Sequence, residues 1–233
     1  MVNFTGGQLL VFGGLIDSAA SNETWVFEPV SGAGWRSISA YPSPMARWGA
    51  ACCSEGSVAY LHGGSASDAS SLSDLWSFNI TSLTWSQLLP SSCNFDASAC
   101  SISAHSHVLV KFMSFLYAWD TLAGRLQRYN LASSTWESLT APSMKGFQHI
   151  SITKISNQVF LTLGLSTDSN SNVLYLIMFS LFGDPVKFVN VNSSKVPLVK
   201  GGCILAFSSQ ILILGGKSTS LAATNRYRCL ALF

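Results

Sequence analysis

The sequence predicts an all-β fold, a series of four-stranded antiparallel sheets, on three observations. The glycine pairs Gly13-Gly14 and Gly63-Gly64 lie 50 residues apart, each closing a short apolar run; a third pair, Gly215-Gly216, and a lone Gly164 keep the same beat. Trp35, Trp85 and Trp136 are spaced by 50 and 51 residues. Between these markers the chain alternates short β-rich runs with clusters of Gly, Asn and Ser, and no stretch keeps a helical spacing. Self-similarity at this period marks repeated units, each needing a neighbour to cover its apolar faces.

The runs can be placed in order. With 47–90 as the reference unit, 47–53 (RWGAACC) is a first strand and 54–56 (SEG) a turn. Residues 57–62 (SVAYLH) form a second strand ended by Gly63-Gly64, and a Ser- and Asp-rich loop spans 65–74. The run 75–78, with Trp76, alternates with period two; 79–82 turns the chain, and 84–88, with Trp85, is the fourth strand. The first unit repeats this as 8–12, Gly13-Gly14, 24–27 with Trp25, and 34–35 with Trp35. In the third, an ungapped overlay of 105–114 on 55–64 puts Met113-Ser114 where the glycine pair stood; 126–130 and 135–137 with Trp136 follow. The fourth has 144–147, 158–163 and Gly164, with Phe188 at the tryptophan position; the fifth has 201–207, 210–214 and Gly215-Gly216, and ends on 228–233. The expected repeats are therefore about 1–41, 42–90, 91–140, 141–192 and 193–233, in one domain, with three strands in the first, four in each of the next three, and three in the last. The glycines allow a sharp turn and close backbone approach. The tryptophans are large apolar plates for the adjoining sheet to cover.

This pattern resembles the kelch family. The residues that carry the resemblance are the Gly-Gly after a hydrophobic strand, the aromatic strand about a dozen residues on, the downstream Trp, and Pro42, Arg47 and Gly49 leading into the next unit. The resemblance implies a kelch-type β-propeller of radial four-stranded blades, like the central domain of galactose oxidase, with about 4.5 to 5 blades in this chain. Kelch-like propellers more often have six or seven blades, so missing blades or fused domains are expected, with a five-bladed ring as the alternative.

Composition sets limits. Nearly half of the 233 residues are hydrophobic and only 10% are charged, so Ser and Thr must supply much of the polar surface. Residues 1–100 carry seven acidic and two basic side chains, and residues 101–233 carry four and eleven. Such a division can steer a charged partner, but with no run of like charges, drift among solvated loop charges is the preferred explanation. Basic residues such as Arg125, Arg128, Arg226 and Arg228 are too sparse for a nucleic-acid surface. No apolar stretch approaches the ~20 residues of a membrane span, and the first residues lack the pattern of a signal peptide. Cys93 and Cys100 fall in one loop and could pair in an oxidising compartment. Four N-x-S/T sequons, at Asn3, Asn22, Asn79 and Asn192, add a second pointer to a secreted or cell-surface glycoprotein over a cytoplasmic protein.

Patterns for catalysis are weak. Gly215-Gly216-Lys217-Ser218-Thr219 imitates the end of a phosphate-binding loop, but position 211 is Ile211 and no helix follows. His105 and His107 share a strand face and, with His149, could offer three nitrogens to a metal; structural histidines are the expectation. No G-x-S-x-G elbow occurs. The copper and iron sites of galactose oxidase and of the nitrile-specifier relatives have no matching motif. No catalytic residue, metal or cofactor is therefore expected.

The expected function is a non-catalytic scaffold binding a polar protein partner through the loops 15–23, 65–74, 167–172 and 217–224, since loops on a fixed frame carry binding. The candidate binding residues are Arg47, Trp48, Asp68, Asp74, Lys145 and Lys217. Arg47 and Lys145 each lead into an innermost strand after a proline, where a cation faces an acidic peptide or anion, or else bonds blade carbonyls. Alanine at Asp68 and Asp74 is expected to spare folding and weaken binding. The alternatives are a divergent kelch-fold enzyme and a glycan-binding propeller using Trp48 or Trp119.

Overall fold

A computed structural model describes residues 1–29, 32, 34–90, 107–140, 145–168, 172–180, 185–190, 199–200, 203–207, 210–214, 217–218 and 228–231. The described residues form β-strands, turns and bends with no helix, so none crosses a membrane as one. The expected all-β class holds, with four antiparallel sheets of four strands as propeller-type blades. The chain divides into two compact units. The first is Met1–Trp119 with Leu126–Leu139; the second is Asp120–Arg125 with Thr140–Phe233.

The first unit holds three four-stranded sheets and a two-stranded one. Strands β1 (Val2–Asn3), β2 (Leu9–Phe12), β5 (Thr24–Glu28) and β6 (Gly34–Ile38) form one, and β3 (Leu15–Ile16) and β4 (Ala19–Ala20) make a separate hairpin. The second sheet is β7 (Ala51–Glu55), β8 (Val58–Ser65), β9 (Ser71–Asn79) and β10 (Thr84–Leu89). The third is β11 (His107–Phe112), β12 (Phe115–Asp120), β13 (Arg125–Asn130) and β14 (Thr135–Leu139). The first sheet has four strands where three were expected. Gly6 and Gly7, both at positive φ, reverse the chain so that Val2 and Asn3 pair with Leu10 and Leu9.

The second sheet is apolar on both faces and packs on both sides. Phe4, Leu10 and Val26 of the first blade bury against Ala59, Leu61, Trp76, Phe78 and Trp85 of the second. The opposite face of the second blade, through Ala51 and Leu75, meets Leu109, Leu116, Ala118 and Tyr129 of the third. Trp85 is the plate the repeat predicted. It is 3% exposed, lies 5.0 Å from Phe12 and 4.9 Å from Phe78, and donates to Thr24 Oγ1 at 3.0 Å. Trp136 reaches back in the same sense, 5.2 Å from His62. Trp35, in the first blade, is 46% exposed and touches Phe27 of its own sheet.

The glycine pairs do what their sequence position implies. Gly13 sits at φ +65°, and a Cβ there would lie 2.5 Å from the Arg47 carbonyl oxygen. Gly64, at φ +99°, would bring one within 2.8 Å of the Trp48 carbonyl oxygen. Only glycine allows both the conformation and the approach.

The third repeat corrects the ungapped overlay. Met113, at φ +51°, and Ser114 form the β11–β12 turn, the counterpart of Gly56, at φ +60°, and Ser57, not of the glycine pair. The position of that pair falls to Asp120 and Thr121, both buried. Met113 follows Gly56 by 57 residues, but Asn130 follows Asn79 by 51. The shortening lies in the β12–β13 connection, so an overlay without gaps slides one strand out of register.

In the second unit, β15 (Phe147–Lys154), β16 (Val159–Ser166), β17 (Asn172–Phe179) and β18 (Pro185–Asn190) form the fourth sheet. Thr121 Oγ1 donates to the Phe147 carbonyl oxygen at 2.9 Å. A pair, β19 (Val199–Lys200) with β22 (Lys217–Ser218), and a three-stranded sheet, β20 (Cys203–Phe207), β21 (Gln210–Leu214) and β23 (Arg228–Ala231), follow. Leu161, Leu163 and Leu174 bury against Ile204 and Ile213.

Candidate functional site

One edge of the first unit is assembled around Arg47. Its side chain is 1% exposed and reaches across the second blade: Nη1 and Nη2 donate to the two Asp74 carboxylate oxygens at 2.5 and 2.7 Å. Nη1 also donates to the Gly63 carbonyl at 2.9 Å, and Nε to the Met45 carbonyl at 3.0 Å. Asp74 accepts the indole N–H of Trp76 at 2.7 Å as well. Burial removes both ions from water, so the bidentate geometry and the extra hydrogen bonds are what make the pair tolerable.

The Arg47 backbone ties three loop segments together. Arg47 N donates to the Ser21 carbonyl, and Gly14 N donates to the Arg47 carbonyl. Trp48 and Ser65 exchange both of their backbone bonds at 2.9 Å. Ala20 N donates to Ser67 Oγ at 3.1 Å. The β2–β5 connection, the stretch leading into β7 and the β8–β9 connection therefore lie side by side, joined at residues 14, 20–21, 47–48, 65 and 67.

The face they present is apolar and acidic. Asp17 and Ser18, at φ +48° and +69°, make the two-residue turn joining β3 to β4, a geometry that primed hairpin turns require. Leu15 and Ile16 are 54% and 52% exposed, Tyr41 is 99% and Met45 57%. Adjacent strand residues point to opposite sides, so the exposure of both Leu15 and Ile16 means that the hairpin stands clear of the sheet. Asp68 is exposed, and the hydroxyl and amide of Ser70 donate to its carboxylate, holding its pKa below the usual carboxylate value.

Beneath the face lies a buried imidazole. His62 stands 5.4 Å from the His107 ring and 5.2 Å from Trp136, and His107 Nε2 lies 3.1 Å from the His62 carbonyl oxygen. Burial pushes the His62 pKa well below the imidazole range, with His107 and the Arg47 cation adding to the effect. The folded state therefore keeps His62 neutral while the unfolded chain protonates it near pH 6.5. The unfolded state then holds the extra proton, so stability falls as pH drops below ~6.5, by up to about 1.4 kcal/mol per pH unit. Urea unfolding from pH 7.5 to 5 should show this loss in the wild type and a flatter profile in His62→Gln. Parallel profiles would refute the assignment.

A cavity of about 100 Å³ lies at the junction of the first two blades, lined by Leu10, Phe12, Cys52, Leu61 and Trp85 among others. It is smaller than the ~300–1,000 Å³ of small-molecule sites. Among the described residues no three His, Cys, Asp or Glu side chains converge as a metal site would need.

The structure sorts the candidate residues. Arg47 and Asp74 are buried and bonded to each other, so their side chains face one another and not a partner, and this burial predicts that alanine at Asp74 costs stability. Trp48 is half-buried, and Trp119 is buried, which removes it as a sugar-stacking platform. Asp68 is exposed on the face just described, and Lys145 is exposed in the second unit. Lys217 lies in β22, but its side chain, Gly215-Gly216, His105, Cys93, Cys100, Asn192, most of the loop 217–224 and part of 167–172 fall outside the described residues. Of the remaining sequons, Asn22 is exposed, whereas Asn79 accepts from Thr81 N and Ser82 N and so shapes its own turn. Residue patterns alone missed Leu15, Ile16, Tyr41 and Met45. The available signal was an apolar pair directly after Gly13-Gly14, followed by two turn-forming residues.

No protein-family model matches this chain, and no curated protein matches it. Among solved structures, that of YjhT superposes with a TM-score of 0.69, covering 98% of this chain and 80% of that one at 16% identity. At that identity the likeness shows the fold alone, a β-propeller.

Proposed function

We propose that the protein is a non-catalytic interaction scaffold, a kelch-type propeller that binds a protein partner through segments 13–23, 41–48 and 65–70. The observation that carries this reading is the exposure of Leu15, Ile16, Tyr41 and Met45 on hydrogen-bonded neighbouring segments. Scattered apolar side chains are ordinary on a surface, but several large ones exposed on adjoining segments beside polar residues are the usual mark of an interface. The placement of Gly13-Gly14 and Gly63-Gly64 beside the Arg47–Asp74 pair supports the kelch assignment.

Affinity capture with the full chain tests the reading, comparing the wild type with Ile16→Ser and Tyr41→Ser. Met113→Ser, exposed at a turn on the opposite edge, serves as the control. The set of proteins retained by the wild type should fall about tenfold with the first two variants, as for lost interface anchors, and persist with the third. Retention that ignores Ile16 and Tyr41 would refute the reading.

A further inference from the structure

The charges on this face are of one sign. Segments 13–23, 41–48 and 65–70 contain the acidic residues Asp17, Glu23 and Asp68 and a single basic residue, Arg47. Arg47 is buried and spent on Asp74. The exposed ions are therefore Asp17, Glu23 and Asp68, and among the described residues none of the three pairs with a basic side chain. Glu23 accepts the Trp25 indole N–H at 2.8 Å, which fixes its direction without neutralising it. Asp17 sits at the hairpin tip directly after Leu15 and Ile16, and Asp68 lies beside Ser67, which accepts the Ala20 amide.

We infer that the partner presents a cationic amphipathic segment, its apolar side chains meeting Leu15, Ile16, Tyr41 and Met45 and its Lys or Arg side chains meeting Asp17, Glu23 and Asp68; this rests on the interaction reading above. The apolar contact supplies most of the affinity. The anions supply rate and selectivity, since a like-charged partner is repelled and an opposite one is steered in. A face of unpaired carboxylates pressed against a neutral surface would lose their hydration with nothing in return.

Three amphipathic peptides of equal length, built from Lys and Leu, Gln and Leu, and Glu and Leu, are the probes, titrated against the full chain. The Lys/Leu peptide should bind at least tenfold tighter than the Glu/Leu peptide at 50 mM salt, and the preference should shrink at 500 mM, where screening shortens. Asp17→Asn with Asp68→Asn should erase the preference, because asparagine tolerates the positive φ at 17 and keeps an acceptor at 68. Ile16→Ser should weaken every peptide that binds. Equal binding of all three peptides, still dependent on Ile16, would overturn the cationic partner and leave the interaction face standing. Binding by none would overturn the inference, and the capture experiment would then decide the face. Self-association that vanishes in Ile16→Ser, with no peptide bound, would make a second copy the occupant and overturn it too.

Discussion

Arg47→Ala is expected to lower the stability of the first unit by about 3–5 kcal/mol, the cost of leaving one partner of a buried ion pair behind. Asp74 would remain buried with the Trp76 indole as its remaining side-chain donor, and the Gly63 and Met45 carbonyls would lose their guanidinium donors. Asp74→Ala should cost a similar amount, because it strands a cation that is 1% exposed. Arg47→Met combined with Asp74→Leu should cost less than either single change, since apolar replacement of both partners removes the desolvation penalty. Urea unfolding followed by tryptophan fluorescence measures all three. Single variants within about 1 kcal/mol of the wild type, the range of an exposed pair, would show that the pair is not buried.

Trp85→Ala should cost about 3–5 kcal/mol, as deletion of a large buried aromatic does. The indole fills the seam between Phe12 and Phe78, and its N–H satisfies Thr24. Trp35→Ala, at the same repeat position, should cost less than about 1 kcal/mol in this chain, because it removes a half-exposed ring that packs on Phe27 of its own sheet. The same unfolding experiment compares them. Equal losses would mean that repeat position, not the covering blade, sets a tryptophan's contribution.

The repeat was legible because its markers are backbone-driven. A side chain at Gly13 or Gly64 would put its Cβ 2.5 or 2.8 Å from the carbonyl oxygen of Arg47 or Trp48, so both positions demand glycine and announce the strand ends. The third blade was misread because it lacks that marker. Its strands 107–112 and 115–120 are both apolar, so a one-strand slide leaves the hydrophobic pattern intact. The role of Arg47 was visible as a choice between a partner and blade carbonyls. Its pairing with Asp74, 27 residues away, depends on strand order and leaves no local period to read. Asp68 was legible as a loop acid. The apolar half of the face was not: loop 15–23 reads as a recognition loop for its polar residues, and that Leu15 and Ile16 form an exposed two-strand hairpin depends on the turn at Asp17 and Ser18.

Hydrogen exchange of the wild-type chain with and without a saturating Lys/Leu amphipathic peptide tests the central claim most directly. The face described here predicts slowed exchange confined to 13–23, 41–48 and 65–70. Protection instead at the opposite-edge turns 56–57, 80–83 and 131–134, or none anywhere, would contradict it.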